Sequence, residues 1–285
     1  MTVLILGAAG QVGRALIATA PAGAETVALG RDECDVSDET AVAAAVARYR
    51  PALIVNAAAY TAVDRAEADA EWAHLLNGMA PGWIADIARK AGSRMIHIST
   101  DFVFDGEASR PLPVSAPTSP ISVYGRTKLA GEEAVTAADP DALIVRTAWV
   151  YGRHGSNFLN TMLRRMNEGG DVPVVADQTG TPTWANSLAA ALWALGRTEA
   201  RGIHHFTDAG SATWYDFAVA IAEEAAAVSL LRDIPRIVPI STAEYPTAAR
   251  RPAFSVLDTS VTWGLIGGPP PHWRANLRAC LRDDR

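Results

Sequence analysis

Short apolar, largely β-branched runs recur through the first two-thirds of the chain, at Val3–Leu6, Thr26–Leu29, Leu53–Asn56, Met95–Ser99, Leu143–Arg146 and Val172–Val175. Each is apolar without alternation, the pattern of a strand covered on both faces. The segments between them carry helical spacing. From Glu71 to Ala91, residues Trp72, Leu75, Leu76, Met79, Trp83 and Ile87 fall three or four apart and predict one apolar helix face. Strands separated by helices pair in parallel through right-handed crossovers, so the expected fold is α/β, a doubly wound parallel sheet. After Trp149 the pattern loosens into helices predicted over Asn157–Asn167, Thr183–Leu195 and Trp214–Val228, with a short run at Gly202–Phe206. Pro173, Pro182, Pro235, Pro239, Pro246 and Pro252 punctuate this half. The expected division is a sheet domain over 1–149 and a second, smaller α/β lobe over 150–285, interleaved with the last core strands.

At 285 residues the chain can bury a full α/β core. Hydrophobic residues at 49% and charged residues at 20% give the balance of an ordinary soluble globule. A formal net charge of −6 argues against nucleic acid or an anionic membrane as the main partner. Cys34 and Cys280 stand far apart with no third thiol, so neither a disulfide framework nor a zinc site is expected. Met1 leads straight into the first strand run, and no apolar run is long enough to cross a bilayer. The expectation is a cytoplasmic protein, monomer or homodimer.

The first run ends in Gly7-Ala8-Ala9-Gly10-Gln11-Val12-Gly13 and opens a helix. Glycines there permit a sharp turn and a close approach to a pyrophosphate, and the helix N-terminus offers free N–H groups to it. The turn marks a Rossmann-like dinucleotide site built on Gly7, Gly10, Gln11, Val12 and Gly13. After the second run come Arg31, suited to a 2′-phosphate, and the Asp35-Val36 pair in the position that brackets an adenine. Ala57, Ala58 and Ala59 end the third run in small residues that allow the backbone to lie against a ribose. NADPH is the expected cofactor, with NADH use left open.

Tyr124 and Lys128 stand four apart, on one helix face. A neighbouring cation stabilises a phenolate, so the tyrosine is expected to titrate well below its usual value of about 10 and to exchange a proton with a carbonyl oxygen. Ser99-Thr100-Asp101 closes the fourth run at the carboxyl end of the sheet, where such folds bind ligands, and Thr100 can donate to the same oxygen. Pro111 to Pro120 reads as the loop joining that strand to the Tyr–Lys helix. His97 reads as a packing residue. His204 and His205 are adjacent on a strand and point to opposite faces, so no metal site is expected.

The glycine turn, strand-end hydroxyl and Tyr–Lys helix, in that order, resemble the extended short-chain dehydrogenase/reductase superfamily. Longer stretches narrow the resemblance to the dTDP-4-dehydrorhamnose reductase family: Asn56–Asp64, Ser99–Phe104, Tyr124–Glu132, Arg146–Tyr151, Asp177–Thr183, Thr213–Asp216 and Ala249–Pro252. This resemblance implies an NADPH-linked reduction of a dTDP-keto-deoxysugar, with Thr100, Tyr124 and Lys128 catalytic. It implies Asp101, Phe102 and Trp149 against the sugar, and Arg250 on the diphosphate. Three positions depart from the family pattern. Phe102 replaces a common tyrosine and Phe254 a common asparagine, which leaves the identity of the sugar open. Ala15 replaces a glutamate that serves a magnesium-bridged dimer in some members, so no such bridge is expected. The alternatives are reduction of a different dTDP-4-keto-6-deoxysugar, and a non-catalytic subunit similar to the regulatory β subunit of methionine adenosyltransferase.

Overall fold

The computed structural model describes residues 2–283. In the first half these elements follow one another: β1 (Thr2–Leu6), α1 (Gln11–Ala18), β2 (Glu25–Leu29), α2 (Glu39–Tyr49), β3 (Leu53–Asn56), α3 (Val63–Ala66), α4 (Ala70–His74), α5 (Ala80–Ala91), β4 (Arg94–Thr100), α6 (Val123–Ala138) and β5 (Leu143–Thr147). The second half continues with β6 (Val150–Tyr151), α7 (Phe158–Glu168), β7 (Val172–Val175), β8 (Thr179–Gly180), β9 (Thr183–Trp184), α8 (Ala185–Leu195), β10 (Gly202–His205), β11 (Ala212–Thr213), α9 (Trp214–Ala227), β12 (Ile237–Ile240), α10 (Ser260–Leu265) and α11 (Trp273–Arg282).

Six of these strands form one parallel sheet in the order β10-β5-β4-β3-β1-β2. The order reverses direction between β1 and β3, and doubly wound sheets open their ligand crevice at such a point. Both faces are covered. Ala15 and Leu16 of α1 pack with Leu188, Leu192 and Trp193 of α8 on one side, where the Trp193 indole donates to the Leu16 carbonyl at 3.1 Å. Val42 and Val46 of α2, Ile84 and Ala88 of α5 and Val135 of α6 cover the other. The expected doubly wound sheet is therefore present, and Ala15 lies in its core at 4% exposure.

Three sequence expectations need correction. Val172–Val175 is a strand, but it pairs only with β12, away from the main sheet, and the sixth core strand is β10. The helix expected over Glu71–Ala91 is interrupted by a π-turn at Leu75–Met79. That extra residue shifts the register of the faces. Apart from Ile84 and Pro81, the buried positions are small or polar, namely Ala73, Asn77, Gly78, Ala80, Ala85 and Ala88, while Met79 is 49% exposed. The reason is α6, which packs so closely that a Cβ on Gly131 would overlap the Asn77 carbonyl. Further on, the helix expected from Thr183 starts at Ala185, because Thr183–Trp184 pairs with β6 instead.

The second half has its own apolar cluster, in which Tyr151, Leu159, Met162, Phe217, Ile221, Trp273 and Leu277 are all buried. Short pairs (β6 with β9, β7 with β12, β8 with β11) frame it. Asn157 caps α7 by accepting from Asn160 N–H, and Thr213 with Asp216 forms a capping box at α9. Cys34 and Cys280 are buried free thiols, and no helix among the described residues is long and apolar enough to cross a membrane.

One polar cluster sits inside the core. Arg146 of β5 reaches Glu132 of α6 through two bonds, Nη2 to Oε2 at 2.7 Å and Nε to Oε1 at 2.9 Å, and both side chains are at most 3% exposed. Ser99 of β4 donates its hydroxyl to the same carboxylate, and the guanidinium stacks over the Phe104 ring. Replacing Arg146 with Met should strand a buried carboxylate and cost about 3–5 kcal/mol, read as a lower urea midpoint. The Arg146→Met/Glu132→Leu pair should recover most of that loss. A single variant as stable as the parent would mean that the pair anchors nothing.

Candidate active site

The glycine turn folds as the sequence requires. Gly7 has φ +81°, and a Cβ there would lie 2.6 Å from the Ala58 backbone nitrogen, so β1 and β3 can approach only at glycine. A Cβ on Gly13 would overlap the Gly7 carbonyl. Gly10 precedes α1 without a side-chain cap, which leaves the first-turn N–H groups free for an anion. Beside them a cavity of 230 Å³ is lined by Gly7, Ala9, Gly10, Arg31, Cys34, Asp35, Val36, Ala57, Ala58, Ala59 and Leu76. Eight of the residues expected around a dinucleotide are thus brought to one cavity. The cradle's missing side chains and free N–H groups suit a pyrophosphate. Gln11 and Val12 differ: the Gln11 side chain turns to Asn157, accepting its amide at 2.8 Å, and Val12 packs into the core. Arg31 is 67% exposed, pairs with Asp35 at 3.1 Å and lies over the Trp72 ring.

At the carboxyl end of β4, Thr100 donates to the Asp101 carboxylate at 3.0 Å and accepts from Phe102 N–H. Ser122 caps α6, and a Cβ on Gly125 would overlap the Phe102 carbonyl, so the start of α6 is pressed against the segment that follows β4. This brings Tyr124 beside Thr100 and Phe102. The Phe102 ring meets the Tyr124 ring edge-on at 5.5 Å. Lys128, one turn on, is 2% exposed and donates to the Ile98 carbonyl at 2.7 Å.

The electrostatics correct one expectation. Burial pushes the Tyr124 phenol up to about 12, with a hydrogen bond from Thr100 pulling the other way and the Asp101 charge adding to the rise. Lys128 does not draw it down in this state. Burial instead lowers Lys128 to about 8, against the pull of Glu132. Asp101, also buried, rises to about 6. The site therefore holds a protonated phenol at neutral pH.

Trp149 follows β5 in a left-handed conformation, φ +48°, which a non-glycine residue adopts only when its surroundings hold it there. Its ring stacks on Trp214 at 3.4 Å and 3°. The Trp214 indole is fixed in turn by Gln178, to which it donates at 3.1 Å. Trp214 and Gln178 also line a 450 Å³ cavity in the second half, together with Phe158, Arg165, Tyr245 and Arg251. Here the sequence reading missed residues. Arg250, expected on the substrate, is exposed, while its neighbour Arg251 lines the cavity and pairs with Asp64 at 2.7 Å. Trp214 and Gln178 lay inside the quoted stretches, but nothing local assigned them a partner. Phe254 is half-buried and bridges to Thr179 of β8.

A parallel sheet with a glycine cradle at its reversal point, a strand-end threonine and a Tyr–Lys helix beside it defines an oxidoreductase of the short-chain dehydrogenase/reductase class. The family model described as "RmlD substrate binding domain" matches residues 1–285. The chain is 46% identical to a probable dTDP-4,6-dihydroxy-2-methyloxan-3-one 4-ketoreductase of Streptomyces antibioticus, over 98% of this chain and 94% of that protein. It is 42% identical to a dTDP-4-dehydrorhamnose reductase of Burkholderia thailandensis, over 99% of each. The crystal structure of dTDP-4-dehydrorhamnose reductase from Bacillus anthracis in complex with NADP superposes with a TM-score of 0.91 at 32% identity, covering 98% of each chain. The chain belongs to the dTDP-4-dehydrorhamnose reductase family.

A Cβ on Gly180 would sit 2.5 Å from the Trp149 ring. Gly180→Ala should therefore push Trp149 off Trp214, costing about 1–3 kcal/mol and changing the tryptophan emission. An unaltered spectrum and melting temperature would mean that the stack does not need the glycine.

Proposed function

We propose that the protein uses NADPH to reduce the C4 keto group of dTDP-4-dehydro-L-rhamnose, giving dTDP-L-rhamnose in cytoplasmic nucleotide-sugar synthesis. The observation that carries this is the convergence of Thr100, Tyr124 and Lys128 at the end of β4, in a chain that also holds the glycine cradle and the Trp214-lined cavity. NADPH would be held by the cradle of Gly7, Gly10 and Gly13 and by the alanines 57–59, with Arg31 on its 2′-phosphate. The Bacillus anthracis relative solved with NADP supports that choice. When bound, the cofactor supplies the hydride that turns the C4 carbonyl into an alkoxide.

The remaining work falls to side chains. Thr100 donates a hydrogen bond to the carbonyl oxygen and Tyr124 gives it a proton. A phenol titrating near 12 suits this direction of reaction, because a reductase needs a proton donor and an alkoxide is a much stronger base than a phenolate. Asp101 and Phe102 border the sugar, and Trp149 offers it an apolar face backed by Trp214. Arg251 and Arg165, with the rings of Tyr245 and Phe158, give the 450 Å³ cavity the positive charge and flat surfaces suited to a nucleoside diphosphate. Arg251 takes over here the role expected of Arg250.

A second reading has one observation in its favour. The Streptomyces antibioticus relative, a probable 4-ketoreductase of another dTDP sugar, is as similar to this chain as the rhamnose enzymes are. Both readings share the cofactor, the C4 carbonyl and the Tyr124 proton, and they differ in the hydroxyls and methyl around the ring, where Phe102 stands. Turnover of dTDP-4-dehydro-L-rhamnose against its 4-keto-6-deoxy analogues separates them. Tyr124→Phe should lower kcat about 10²–10⁴-fold on whichever sugar is preferred, with NADPH affinity retained. Normal turnover in that variant would remove Tyr124 from the mechanism.

A further inference from the structure

Behind the Tyr–Lys pair, a buried chain of hydrogen bonds runs from β3 to α6. Ala58 N–H donates to Asn56 Oδ1 at 3.1 Å, which turns the Asn56 amide nitrogen toward His97 Nδ1, 3.2 Å away. An amide NH₂ only donates, so Nδ1 must accept. His97 is fully buried, and burial, followed by the charge of Lys128, holds it well below the usual histidine range. A neutral ring that accepts at Nδ1 carries its one proton on Nε2. That N–H faces Lys128 Nζ at 3.4 Å. An ammonium has three donors and no acceptor, so a charged Lys128 would set donor against donor. An uncharged amine accepts from Nε2–H with its lone pair and still donates to the Ile98 carbonyl at 2.7 Å.

We propose that His97, its tautomer fixed by Asn56, is a positioning residue that favours the uncharged form of Lys128, making Lys128 an exchangeable proton store behind Tyr124 rather than a permanent cation. The proton balance closes. The amine takes a proton from solvent to become an ammonium, and the ammonium returns it to the Tyr124 phenolate left after each reduction, regenerating amine and phenol. The other charge bearing on Lys128 is Glu132, which favours the cation but shares its charge with Arg146 of β5. Burial is the larger influence and brings the lysine to about 8, where both of its forms are populated near neutral pH.

The catalytic meaning rests on the reading of Tyr124 and Lys128 given above, but the protonation is measurable without turnover. The chain has only two lysines, Lys90 and Lys128, and Lys90 is 68% exposed beside Asp86. Protein labelled with ¹³C at the lysine ε-carbon therefore gives two signals to titrate by NMR. Lys128 should show a midpoint near 8, while ¹⁵N shifts should put the His97 proton on Nε2. In His97→Gln the side-chain carbonyl can turn to accept from an ammonium, so the Lys128 dissociation constant should fall about tenfold, one unit. A Lys128 midpoint at the ordinary lysine value of about 10.4, a proton on Nδ1, or an unchanged midpoint in folded His97→Gln would each overturn the proposal. Should that variant not fold, the wild-type midpoint and tautomer decide. Absence of keto-sugar turnover alongside the expected titration would instead count against the function.

Discussion

The ion pair between Arg146 and Glu132 holds α6 to the sheet, and the rest of the site depends on where α6 lies. Two charges are excluded from water between β4, β5 and α6, and two direct bonds plus the Ser99 hydroxyl satisfy them. A pair this deep is no cheap source of stability, because desolvation offsets much of the attraction. Its effect is on placement: with Glu132 fixed, Lys128 one turn earlier faces β4, and Tyr124 a further turn back reaches the strand end at Thr100. Close approaches at Gly125 and Gly131 leave the helix no freedom to slide.

That placement also sets the chemistry, through burial more than through charge pairing. The crowded end of β4 raises Tyr124 and Asp101 and lowers Lys128 and His97, each toward its neutral form. A site whose members all favour neutrality suits proton transfer to a nascent alkoxide without a standing field to stabilise the starting phenolate. The tryptophan pair is placed by a similar crowding, in which a strained backbone at Trp149 is held by the Trp214 ring and the bare Gly180.

Much of this could be read from the chain because its signals are local. Strands covered on both faces read as unbroken apolar runs, and the glycine turn, Thr100 and the Tyr–Lys spacing each lie within a few residues. What escaped was set by contacts between distant segments. The π-turn at Leu75–Met79 answers to α6, more than forty residues on, and hides small residues where spacing suggested large ones. Arg251 rather than Arg250 lines the cavity, and its ion-pair partner is Asp64 of α3, 187 residues earlier in the chain. Val172–Val175 looks like a core strand, but its partner is β12. The tyrosine shift was misjudged because helical spacing gives the distance to Lys128 along α6 and says nothing of how deeply the phenol is buried.

The most direct test of the central role of the ion pair is the steady-state kinetics of Glu132→Gln on dTDP-4-dehydro-L-rhamnose, with NADPH affinity measured on the same protein. The Glu132 side chain lines neither cavity. If the ion pair positions α6, kcat should fall while NADPH binding stays near the parent value. An undiminished kcat in a folded variant would contradict the account, and Tyr124 and Lys128 would then owe their placement to something other than the buried pair.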